Sequence, residues 1–211
     1  MITLDKPKVA YMALPKAACT SVKMMLAQAE GHVPDDDPPI GFWHDRYPTR
    51  RFRPHRWQQA RGHWRFCVIR DPAKRLLSVY TDRVAGRQEL RNSRRLKRVP
   101  AGLPADPDPD LFFSNLLDYC AHSSAIRHHC LPARLFLGPR LDFDAVYHTG
   151  QLPVLARDLG RRSGRTVRTP RANASRFTLD WDDLEPETQE ALIPVLEPEY
   201  AYFKGYFEPP F

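Results

Sequence analysis

The stretch Trp64-Arg65-Phe66-Cys67-Val68-Ile69-Arg70-Asp71-Pro72 decides the fold. From Trp64 to Ile69 it is mostly apolar, rich in aromatic and β-branched side chains, and ends at a charged pair and a proline. That is the pattern of a strand buried on both faces. Pro72 has its φ preset and lacks an amide hydrogen, so it fits the first turn of a following helix. Leu76, Leu77, Val79, Tyr80 and Val84 supply an apolar face for that helix.

The same pattern recurs upstream. Lys8 to Leu14 is a short apolar run closed by Pro15 and reads as a buried strand. Thr20 or Ser21 is expected to cap a helix reaching about Gln28, with Val22, Met25, Leu26 and Ala29 at helical spacing. Residues 31–41 are loop by composition. Downstream, 87–98 continue as charged helix or coil, and the four prolines between Pro100 and Pro109 mark a loop. Leu111–Ala121 is predicted as amphipathic helix, Phe143–Tyr147 as strand, Leu152–Leu159 as helix, Gly164–Thr169 as a short strand, and Pro186–Tyr200 as a proline-interrupted helix. Strands alternating with helices imply an α/β fold with a central, mostly parallel sheet flanked by helices. The 211 residues, 42% of them hydrophobic, suit a single domain spanning 1–211. The 21 prolines, about twice average usage, imply short elements joined by long loops.

No apolar run approaches the roughly 20 residues that span a bilayer. The N-terminus lacks the basic-then-apolar layout of a signal peptide, so a cytoplasmic location is expected. Cys19, Cys67, Cys120 and Cys130 show no ligand spacing; reduced thiols and no metal are the expectation. Charge is uneven. From Arg46 to Arg98 lie fifteen arginines, Lys74 and Lys97, countered after Asp45 only by Asp71, Asp82 and Glu89. The rest of the chain is net acidic although the whole carries +7. Such a block implies an anionic partner: nucleic acid, an acidic polymer or a phosphorylated small molecule.

Two strand–loop–helix elements carry the chemistry. In the first, Pro15-Lys16-Ala17-Ala18-Cys19-Thr20-Ser21-Val22-Lys23 follows a strand. Small residues entering a helix expose amides at the positive end of its dipole, and Lys16 adds a full charge. The glycines of a Walker A loop are absent. In the second, Arg70 stands where a strand ends, the binding edge of an open α/β sheet, with Ser78 farther along the helix.

Together these elements resemble the carbohydrate sulfotransferases. Pro15-Lys-x-x-Cys19-Thr20-x-x-Lys23 is similar to their 5′-phosphosulfate loop, and Phe66-Cys-Val-Ile-Arg70-Asp-Pro-x-x-Arg75-Leu-x-Ser78-x-Tyr80 to their 3′-phosphate motif. The branch resembled is sulfotransferase family 2, with the HNK-1, chondroitin 4-O and dermatan enzymes and their bacterial relatives. Weaker echoes follow at His129-x-x-Pro132, Phe143-Asp-x-Val-Tyr147, Asn173-Ala-Ser175-Arg176 and Tyr200-x-x-Phe203-x-Gly-Tyr206.

The resemblance implies a P-loop-NTPase-like fold and transfer of a sulfuryl group from 3′-phosphoadenosine 5′-phosphosulfate (PAPS) to a hydroxyl of a carbohydrate or glycoconjugate, without a metal. It implies that Lys16, Ala17, Ala18, Cys19, Thr20 and Ser21 hold the 5′-phosphosulfate, with Cys19 a small loop residue rather than a nucleophile. Arg70 and Ser78 are implied for the 3′-phosphate. Lys16 and a histidine base are the implied catalytic groups. His44, His55 and His63 are the candidates for that base. His44 is favoured because it precedes Arg70 by 26 residues, close to the family's separation. His128-His129 reads as structural or acceptor-site, since adjacent histidines point apart. The surplus arginines suggest a rim suited to an acidic acceptor.

Two other readings make distinct demands. A nucleotide-dependent phosphotransferase needs loop glycines and a Mg²⁺-holding acid, and neither is visible. A nucleic-acid-binding module could use the arginine block, but the block contains a buried-type strand and matches no recognition motif. No nucleic-acid partner is therefore expected.

Overall fold

Parallel strands buried on both faces demand continuous apolar runs, and the runs identified above become the centre of the sheet. The computed structural model describes residues 1–32, 38–93, 103–170 and 178–211. Strands β1 (Ile2–Leu4), β2 (Val9–Met12), β3 (Trp64–Ile69) and β4 (Ala145–His148) form one sheet in that order. β2, β3 and β4 run parallel, with Met12 opposite Cys67 and Ile69 opposite His148, and β1 pairs antiparallel with β2. The architecture is α/β, with a mostly parallel sheet flanked by helices.

The chain divides into two compact units, Met1–Arg70 with Ala133–Ala174, and Asp71–Pro132 with Ser175–Phe211. The first contains the sheet together with α1 (Cys19–Glu30), α2 (Ile40–Arg46), α3 (Pro54–Gln59) and, numbered in chain order, α8 (Arg134–Leu137) and α9 (Leu152–Ser163). Its core joins Val9, Tyr11, Phe66 and Val68 of the sheet to Val22, Met25 and Leu26 of α1 and Leu155 and Leu159 of α9. Phe66 stacks on Tyr11 of the neighbouring strand at 5.1 Å and on Trp64 at 5.0 Å.

The second unit is helical among its described residues: α4 (Pro72–Val79), a π-helical turn at Tyr80–Gly86, α5 (Pro109–Ser114), α6 (Leu116–His122), α7 (Ser124–Cys130) and α10 (Pro186–Tyr202). Leu77, Val79, Phe112, Phe113, Tyr119, Ile126 and Leu196 lie in its core. Asp71 caps α4 by accepting from the Lys74 amide at 2.9 Å.

Several expectations are corrected. The residues expected as a strand at 164–169 form none. Gly164 ends α9 in a left-handed conformation, and the Arg168 peptide is held by both ends of the Gln28 amide. A side chain thus takes the place of a neighbouring strand. The helix expected over 111–121 is two helices broken at Asn115, whose side-chain amide donates to Leu111 O at 3.0 Å. The loop expected over 31–41 gives way to α2 at Ile40. Asn173–Arg176 lies outside the described residues.

Candidate active site

β2 and β3 end side by side, and the groups of interest in the first unit gather beyond their carboxyl ends. Between Met12 and Cys19 the chain places Lys16 (φ 67) and Ala18 (φ 55) in left-handed conformations, each at a cost of about 1–2 kcal/mol for a residue with a side chain. Two such residues in one short loop mark a shape enforced by its surroundings. The Ala17 amide donates to Leu14 O at 3.2 Å, so Ala17 is engaged within the loop. The first helical bond runs from Val22 N to Ala18 O at 3.1 Å. The amides of Ala18, Cys19, Thr20 and Ser21 therefore precede the helical ladder. No acidic residue occupies the first turn.

The expected cap is corrected here. Ala18 is the N-cap and its methyl offers no hydrogen bond, while Thr20 and Ser21 sit buried inside the first turn. Arg70, one residue beyond β3, donates to the Lys16 carbonyl at 3.2 Å and so ties the two strand–loop elements together.

His44, near the end of α2, has both ring nitrogens engaged with α1. Nε2 lies 3.2 Å from Thr20 Oγ1 and Nδ1 lies 3.0 Å from Lys23 Nζ. Lys23 also donates to Thr49 Oγ1 at 2.9 Å and is 0% exposed. Burial pushes its pKa below the ordinary lysine value. His55 is exposed on α3, and His63 is half-buried with Nε2 3.6 Å from an Asp5 carboxylate oxygen. Of the three histidines, His44 is the one whose described contacts reach α1. His148, at the end of β4, caps the turn at 149–151.

In the second unit, Ser78 is buried and its hydroxyl donates to Arg75 O at 2.7 Å. Arg75 is also buried, donating to Glu199 at 2.9 Å and to the carbonyls of His129 and Leu131 at 3.3 Å each. Tyr200 donates its hydroxyl to Asp71 at 2.9 Å, which joins the C-terminal motif to the Asp of the Arg-Asp-Pro motif. The His128 and His129 rings sit edge to face at 5.1 Å. Among the described residues no three His, Cys, Asp or Glu side chains converge as a metal site.

The arginine block is less bare than its sequence implies. Arg46 pairs with Glu30, Arg65 with Asp144, Arg83 with Asp82 and Glu89, Arg87 with Asp82, and Arg91 with Asp106. Arg50, Arg51, Arg53 and Arg61 are exposed and have no carboxylate partner among the described residues. Arg94, Arg95, Lys97 and Arg98 lie outside those residues.

The loop motif included Lys23, but the sequence reading gave it no part with His44 and did not single out Thr49. The signal for Lys23 was available: Thr20 and Lys23 are three residues apart, which puts them on one face of a helix. Thr49 had none, because its contact joins positions 26 residues apart.

A helix start whose first amides precede the ladder, beside Lys16 and Arg70 at the carboxyl ends of parallel strands, is a geometry suited to an anionic group in an α/β fold. A family model described as the sulfotransferase family matches residues 1–141. The chain belongs to this family, sulfotransferase family 2, and is a sulfotransferase by that membership. No curated protein and no solved structure matches it.

Proposed function

We propose that this protein transfers a sulfuryl group from PAPS to a hydroxyl of a carbohydrate or glycoconjugate. The observation that carries the reading is the convergence of the Lys16 loop, Arg70 and a doubly held His44 within the first unit. The loop residues fit an anionic group: four amides precede the helical ladder, and the first turn carries no acid to repel it. When bound, PAPS supplies an activated sulfuryl group.

Lys16, the amides of Ala18–Ser21 and the Ser21 hydroxyl hold the 5′-phosphosulfate, and the Thr20 hydroxyl, engaged with His44, turns to it on releasing Nε2 to the acceptor. Lys16 offsets charge growing on the leaving oxygen, a preorganised electrostatic role. Ala17 contributes smallness rather than a donor. The family likeness gives the 3′-phosphate to Arg70 and Ser78, and Ser78 must release the Arg75 carbonyl to donate there. His44 takes the acceptor hydroxyl proton at Nε2. The exposed Arg50, Arg51 and Arg53 directly follow Thr49, which favours an acidic acceptor.

The test combines thermal shift with transfer from labelled PAPS to neutral and uronate-bearing glycans. PAP, the desulfated cofactor, is expected to raise the Tm by linkage. Lys16→Ala is expected to keep the fold and lose about 10²–10³-fold in kcat, and His44→Ala about 10²–10⁴-fold. Stabilisation by ATP–Mg²⁺ without a response to PAP overturns the reading. Equal rates on neutral and acidic glycans at low salt remove the acidic-acceptor part alone.

A further inference from the structure

Thr20 and Lys23 stand one turn apart on α1, and each meets a different nitrogen of the same imidazole, at 3.2 Å and 3.0 Å. We propose that Lys23 is a positioning residue for His44: a neutral amine in the resting protein, it accepts the Nδ1 proton and leaves the Nε2 lone pair as the basic site. The role of His44 rests on the proposed function, whereas the Lys23–His44 pairing is a property of the protein alone.

Lys23 is 0% exposed, and its described polar partners, His44 Nδ1 and Thr49 Oγ1, carry no negative charge. Among the described residues no carboxylate pairs with it. An ammonium taken out of water without a counter-charge loses its hydration and gains little in return, which moves the balance toward the neutral amine. The same desolvation lowers the Lys23 pKa. Cys19, at the start of α1, acts in the other direction, since a thiolate there favours the ammonium.

Hydrogen-bond capacity then sets the tautomer. A neutral amine has two N–H donors and one lone pair. One N–H goes to Thr49 Oγ1 at 2.9 Å, and the lone pair accepts the Nδ1–H of His44. Nε2 is left with its lone pair facing the Thr20 hydroxyl, which donates to it. An ammonium reverses the roles at His44 while still donating to Thr49: it donates to Nδ1, and the proton then on Nε2 blocks base catalysis. The protonation state of Lys23 therefore selects which nitrogen of His44 is basic.

The proton balance closes. The acceptor O–H bond breaks and an N–H bond forms at Nε2. The Nδ1–H bond breaks and an N–H bond forms at Nζ. The imidazole ends neutral in the other tautomer, and Lys23 ends as an ammonium.

The deciding experiment is ¹⁵N NMR of the full, ligand-free chain, which reads the His44 tautomer from its two ring-nitrogen shifts. Near neutral pH the wild type is expected to show the Nδ1–H form, and Lys23→Met the Nε2–H form. Lys23→Met is expected to lose about tenfold or more in kcat with PAP affinity unchanged. Lys23→Arg is expected not to restore turnover, because a guanidinium stays charged. An Nε2–H tautomer or an imidazolium in the wild type overturns the proposal, as does one tautomer shared by wild type and Lys23→Met. If Lys23→Met fails to fold, the wild-type spectrum alone decides. Absence of PAP binding and of any sulfated product defeats the sulfuryl-transfer reading, while the tautomer still decides whether Lys23 governs His44.

Discussion

Lys23 in the first unit and Arg75 in the second are the two cations buried among the described residues, at 0% and 3% exposure, and they are housed in opposite ways. Arg75 meets a buried carboxylate, Glu199, and two backbone carbonyls. Its planar fork suits that set of acceptors, and its charge is matched. Lys23 meets an imidazole and a hydroxyl. A matched cation holds neighbouring segments together, whereas an unmatched one gives up its proton more readily and so suits chemistry. Burial alone does not separate structure from function; the charge of the partner does.

The largest effect that sharpens this contrast is on stability. Arg75→Met leaves Glu199 buried without its cation and is expected to cost about 3–5 kcal/mol, read from urea unfolding. Arg75→Met with Glu199→Leu is expected to recover more than half of that loss, since apolar replacement of a whole buried pair is often nearly neutral. Next, Lys23→Met is expected to cost under about 1 kcal/mol, because the amine brings its own desolvation penalty and methionine is close to it in volume. A Lys23→Met loss as large as that of Arg75→Met would erase the distinction.

The smallest effect lies in the pH dependence of stability. With the folded pKa of Lys23 below its ordinary 10.5, the unfolded chain binds more protons between the lowered value and 10.5. Unfolding free energy contributed by Lys23 therefore rises with pH across that window; the penalty is complete below it and gone above it. Tyr47, pushed up to about 12 by burial and by its hydrogen bond to Glu30, works with the opposite sign from pH 10 upward. The difference between wild-type and Lys23→Met curves isolates the lysine, and a flat difference curve contradicts a lowered pKa.

Legibility in the sequence followed the range of the interactions. β3 was readable to the residue, and β2 fell inside its expected run, because a short apolar stretch bounded by proline has few other fates. β1 was missed, as three residues are too few for a period to show. Asn115 breaks a helix that its neighbours favour, and Gln28 holds Arg168 from 140 residues away, so neither effect is local. Within the site, Lys16 and Arg70 stood out through the grammar of strand ends and helix starts. The contact of His44 with Thr20 joins residues 24 apart, so beforehand His44 was favoured over His55 and His63 by its spacing to Arg70 alone. Lys23 closed the quoted loop motif, but its burial was hidden: composition rules place lysine on the surface, and only the packed structure puts this one inside.

The left-handed conformations of Lys16 and Ala18 also bear on the speed of association. A loop already bent to present its amides has little ordering left to undergo when an anion arrives. Encounter, rather than rearrangement, then limits association at that edge, and basic side chains nearby accelerate encounter in a salt-dependent way. Differences in affinity among anions that use these amides should accordingly reside in how fast they leave.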